Sequence, residues 1–88
     1  MADKTPDSVT AHNLGSLKLT IATFVSENID DNDQWVSGIK SAVGYWTQQI
    51  SDGPTDLNIT SYTAATGTFL FDSAANVTCK VYVVSFDY

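Results

Sequence analysis

Apolar residues recur at intervals of three and four through residues 31–50: Trp35, Ile39, Ala42, Val43, Trp46 and Ile50. That spacing describes one face of an amphipathic helix, with Gln34, Ser37, Lys40, Ser41 and Gln48 mostly elsewhere on the wheel. The stripe holds both tryptophans of the chain, so it predicts the largest single block of buried apolar surface. Asp31 is positioned to cap the helix, with Gln34 three residues on as in a capping box. Asp30, Asp31 and Asp33 suit the positive end of its dipole. Gly53 and Pro54 follow the last turn and stop it. Gly38 and Gly44 are soft points inside the run, each costing about 1 kcal/mol relative to alanine.

Elsewhere the period is two. In 16–26, Leu17, Leu19, Ile21, Thr23 and Val25 share one side, and Lys18, Thr20, Ala22 and Phe24 the other. This alternation of β-branched and apolar residues predicts a strand. A second strand is expected over 57–64 and a third over 68–72, separated by a tight turn at Ala65, Thr66 and Gly67. The fourth, 77–86, is the most apolar. Val77, Cys79, Val81 and Val83 point one way, and Thr78, Lys80, Tyr82, Val84 and Phe86 the other. Strands two to four read as an antiparallel meander, joined to the first through the helix. The predicted fold is α+β, in the order β-α-β-β-β, with one helix packed on one face of a mainly antiparallel four-stranded sheet. Residues 14–88 form the domain. Residues 1–13 are small, polar and charged, contain Pro6 and show no periodicity, so they read as a flexible N-terminal arm.

That architecture leaves one sheet face bare. A single helix covers one side, and the other carries Phe24, Tyr62, Tyr82, Val84 and Phe86 in some combination. Exposed apolar patches of this kind mark interfaces; the alternative is that the arm folds back over the face.

Charge narrows the partners. The chain has 10 acidic residues against 4 basic ones, a net charge of −6, and every basic residue is lysine. No basic face for nucleic acid can be assembled from these, and anionic lipid is disfavoured for the same reason. No 18-residue apolar run offers a membrane span, and the opening residues lack the apolar stretch of a signal peptide. The single cysteine, Cys79, sits in an apolar strand pattern and reads as a small buried hydrophobe. His12, the one histidine, has no Cys or His partner at metal-ligand spacing. The acidic run Glu27, Asp30, Asp31 and Asp33 lacks the alternating ligands and glycine of a calcium loop. No serine lies in a nucleophile elbow and no glycine loop is built to cradle phosphate. The expectation is a non-enzymatic protein with no metal and no cofactor.

Several segments resemble small uncharacterised proteins of tailed bacteriophages, encoded near virion structural genes. They are residues 12–19 with Ile21 and Ala22, residues 29–31 leading to 35–39, residues 43–46, residues 65–69 and residues 81–85. The loop 73–76 lacks the charged residues associated with that group. The resemblance implies a virion location and a structural role, such as a capsid cement or decoration subunit that stabilises contacts between neighbouring capsid proteins. Its partners would be the major capsid protein or other virion proteins, and further copies of itself. The residues expected at that interface are Thr5, Val9 and His12 from the arm, and Tyr82, Val84, Phe86 and Tyr88 from the C-terminal strand. The alternative function is a small binding or inhibitory module acting on a host protein by strand-edge or sheet-face docking.

Overall fold

A computed structural model describes residues 3–50, 57–72 and 77–86. Seven strands follow in order: β1 (Ser8–Leu14), β2 (Leu17–Ile29), β3 (Gln34–Val36), β4 (Ala42–Gln49), β5 (Asn58–Thr63), β6 (Thr68–Asp72) and β7 (Val77–Phe86). They build two antiparallel sheets, a large one in the order β1-β2-β7-β4 and a small one in the order β3-β6-β5.

The α+β expectation is overturned: among the described residues there is no helix. The stretch expected to be helical forms β3 and β4, joined by residues 37–41. Its composition explains the outcome. β4 carries Val43, Tyr45, Trp46 and Thr47, which suit a pleated surface, and Gly38 takes φ +78, outside the helical region. Pairing of β4 with β7 supplies the backbone bonds that a helix would have made locally. The acidic residues form a turn in place of a cap. Asp33 N–H donates to Asp30 O at 3.1 Å, Asp30 N–H donates to Asp33 Oδ2 at 2.7 Å, and Asn32 adopts φ 64.

The expected meander also breaks. β5 and β6 pair as a hairpin, but β7 leaves them and lies between β2 and β4. The expected arm, 1–13, ends inside β1, which pairs antiparallel with β2 from Ser8↔Thr23 to Leu14↔Leu17. A two-residue turn at Gly15 and Ser16 closes this hairpin, and Gly15 at φ +73 supplies the positive φ that such a turn needs. Ahead of β1, Lys4 N–H donates to Gln34 O and the Lys4 ammonium lies 3.6 Å from the Asp33 carboxylate.

The core lies between the sheets. From the large sheet come Ala22, Phe24, Val77, Cys79, Val81 and Val83; from the small sheet come Trp35, Phe69 and Phe71. Phe24 meets Trp35 and Phe71 edge-on, while Trp35 and Tyr62 stack on Phe69. Phe24 and Tyr62, both candidates for the bare face, therefore belong to the interior. Tyr62 is half-buried there and its hydroxyl donates to Ile39 O. Burying a side chain as large as phenylalanine contributes roughly 1.5–3 kcal/mol, so the aromatic cluster does the work assigned to the helix stripe.

One close approach fixes the far end of the small sheet. Gly67 has φ +70, and a Cβ added there would meet Gly38 N and C at 2.7 Å. Ser37 N–H donates to Gly67 O at 2.9 Å, and its hydroxyl donates to the same oxygen. Two backbones thus touch where neither carries a side chain.

Candidate interaction surface

The strand register places three rows of apolar side chains on the outer face of the large sheet, away from the core. The first runs Leu14, Leu17, Phe86 across β1, β2 and β7. The second runs His12, Leu19, Val84, with Gly44 beside Val84 on β4. The third runs Thr10, Ile21, Tyr82, Trp46. A fourth row, Ser8, Thr23, Lys80, Gln48, is polar and borders the patch. Directly opposed residues of antiparallel strands share a face, so the rows are continuous by geometry. Leu14 is 52% exposed, Trp46 50% and Phe86 39%. Lys80 is the one permanent charge among the described residues of these rows.

The aromatic corner of the patch is held rigid. The Trp46 and Tyr82 rings stack at 5.2 Å with only 6° between their planes, and the Tyr82 hydroxyl donates to Gln48 Oε1 at 2.7 Å. Stacking on one side and a hydrogen bond at the tip leave a flat platform that loses little side-chain entropy on contact.

His12, Tyr82, Val84 and Phe86 all stand on this face, brought together by β1 and β7 pairing with opposite edges of β2. Val9 does not: it opposes Ala22, on the core side of β2, where the small sheet stops short and leaves it 52% exposed. Thr5 precedes β1 and is exposed. Tyr88 lies outside the described residues. Leu14, Leu17, Leu19, Ile21 and Trp46 complete the face without having been expected there. Their signal was present, since 17–21 alternates as cleanly as 77–86; only the pairing register reveals that the more apolar side of β2 faces outward.

Two open clefts flank the sheets. One, of about 360 Å³, is lined by Tyr45, Trp46, Thr47, Leu57, Asn58 and Ile59. The other, of about 400 Å³, gathers Lys18 and Lys40 with Ser37, Ser41 and Ser85. Ser37 and Ser41 already donate their hydroxyl hydrogens to Gly67 O and Phe86 O. Cys79 is buried and burial pushes its thiol up to about 12, so it is a neutral packing group at neutral pH. The described residues contain no group of three or more His, Cys, Asp or Glu that could hold a metal ion, and no helix long and apolar enough to cross a membrane.

Asp7 anchors the approach to β1. Its Oδ2 accepts from Val25 N–H and Ser26 N–H, each at 3.0 Å, where β2 breaks register with β7 between Phe24 and Ile29. Bonds from Ser26 first, then Val25, hold the Asp7 carboxyl below its usual range. No family model matches the chain, and neither a curated protein nor a solved structure matches it.

Proposed function

We propose that this chain is a non-enzymatic structural subunit of a virion, a capsid cement or decoration protein, that works by laying the outer face of its large sheet on a neighbouring virion protein. The observation that carries the docking is the apolar face itself, running through Leu14, Leu17, Phe86, Leu19, Val84, Ile21, Tyr82 and Trp46. Leu14, Trp46 and Phe86 are exposed and the other five partly so; a partner that covers them gains roughly 25 cal/mol per Å² of apolar surface removed from water. Such a subunit stabilises the assembled state by mass action, because it binds the assembly and not the separated parts. The virion setting rests on the sequence resemblance alone. Net charge of −6 favours a partner whose contact surface is apolar with a basic rim.

The alternative, a module docking on a host protein by a strand edge, draws on the length and exposure of β1. Copy number separates the two: a cement subunit is abundant in purified particles and an inhibitor is absent from them. The test is co-sedimentation with particles, quantified by mass spectrometry, for the wild type and for Tyr82→Asp. The wild type should pellet. The variant should stay in the supernatant with its circular dichroism retained and its melting transition lowered only modestly by loss of the Trp46 stack, since residue 82 points away from the core. A wild-type protein that never pellets overturns the virion reading.

A further inference from the structure

We infer that β1 is the seam of a homodimer, in which two copies pair their β1 strands antiparallel about a two-fold axis at Ala11 and merge their large sheets into one. This goes beyond the docking proposed above and draws on it only for the area of the joined face. It is carried by the edges of the sheets.

A sheet edge offers a row of backbone donors and acceptors to any other chain, and proteins blunt such edges with short strands, bulges, charges or proline. Three of the edges here are blunted. β3 has only three residues, and Asp3 bridges to its Gln34. β4 breaks register between Ala42 and Gly44, and β5 between Ile59 and Ser61. β1 has none of these devices. It spans seven residues, Ser-Val-Thr-Ala-His-Asn-Leu, with no Asp, Glu, Lys or Arg and no proline, and its register with β2 is unbroken. Every one of its residues is exposed. Among the described residues it pairs on one side only.

A second copy is the occupant that fits. A two-fold interface must be self-complementary, and an antiparallel strand pair is so by construction. Centring the axis on Ala11 is the one register that engages all of Ser8–Leu14 in both copies. It sets Ser8 opposite Leu14, Val9 opposite Asn13 and Thr10 opposite His12, so no fixed charges meet despite the −6 carried by each copy. It also preserves faces. The row Trp46, Tyr82, Ile21, Thr10 continues directly into His12, Leu19 and Val84 of the second copy. Area argues the same way. Four strands about 4.8 Å apart and three rows about 7 Å apart give a face of roughly 400 Å². A standard interface needs about 800 Å² per partner. One copy falls short, and two joined at β1 reach it.

Sedimentation equilibrium on four forms of the full chain tests the seam. The wild type should be a dimer. Ala11→Lys and Ala11→Glu each place like charges opposite one another across the axis, and each should weaken association about tenfold or more. Residue 11 is exposed, so both variants should keep the wild-type circular dichroism, with melting lowered only by the loss of association. Mixing the two should restore a dimer, because Lys and Glu then face each other. Tyr82→Asp should remain a dimer, which separates failure of the seam from failure of face docking. A wild type that stays monomeric at about 1 mM, variants that dimerise undiminished, or a mixture that fails to recover would each overturn the inference. So would dissociation by Tyr82→Asp with Ala11→Lys intact, which would put the second copy on the face.

Discussion

The two faces of the large sheet are built from the same strands and have opposite fates. Along β7, Val77, Cys79, Val81, Val83 and Ser85 are buried, while Thr78, Lys80, Tyr82 and Val84 are only partly so and Phe86 is exposed. Hydrophobicity does not sort them, since a serine is inside and a valine and a phenylalanine are outside. The sorting is done by what lies opposite. The inner face meets Trp35, Phe69 and Phe71 of the small sheet, whereas the outer face contributes no residue to that buried cluster. Alternation along a strand separates two sides, and only a second layer decides which of them becomes core.

The contrast can be broken first at Phe24, which is fully buried and makes two edge-on ring contacts. Phe24→Ala should cost about 3–5 kcal/mol by denaturant unfolding, a large share of the stability of so small a domain. A loss below 1 kcal/mol would show that the sheets do not enclose it. Next comes Trp46, on the outer face. Trp46→Ala should cost only about 1 kcal/mol, chiefly from the lost stack on Tyr82. A loss as large as that at Phe24 would mean that the outer face is core after all. The smallest effect is at Asp7, whose carboxyl is held below 3.8 by the Ser26 and Val25 amides. A lowered folded-state pKa contributes stability that is present above the unfolded value and is lost as pH falls below 3.8 through the folded one. The melting-temperature difference between wild type and Asp7→Asn should therefore shrink on acidification through that window. A difference that is flat from pH 6 to pH 2 would show that the carboxylate does not hold the start of β1.

Much of the strand content was legible. The expected spans 68–72 and 77–86 coincide with β6 and β7, and both sides of β7 were assigned as found. Each is rich in β-branched or aromatic residues, and its burial alternates with a period of two. The stretch 31–50 imitates a helix because spacings of three and four also arise when two short strands flank a loop. Trp35 and Trp46 looked like neighbours on one stripe, yet one is 6% exposed in the core and the other 50% exposed on the far side of the large sheet. Two glycines and a run of β-branched and aromatic residues are the contrary signals in that stretch. β1 is hard to read in the sequence for a different reason. Its residues carry no apolar pattern because neither of its faces is covered, so the only local sign was the Gly15-Ser16 turn. At the interaction surface, Tyr82, Val84 and Phe86 could be grouped from their spacing. Joining them to Leu17, Leu19 and Ile21 required the pairing of β2 with β7, which is information held between distant segments rather than within either.

The separated tryptophans also make the molecule its own spectroscopic instrument. Trp35 reports through the ring contacts of the interior, and its emission tracks folding. Trp46 looks into solvent from the outer sheet face, where an aqueous quencher can reach it. A protein that covers that face would protect Trp46 and leave Trp35 unchanged, whereas unfolding would expose both. With Trp35→Phe or Trp46→Phe in hand, fluorescence can follow occupancy of the surface and integrity of the core as separate signals, without any label attached to the chain.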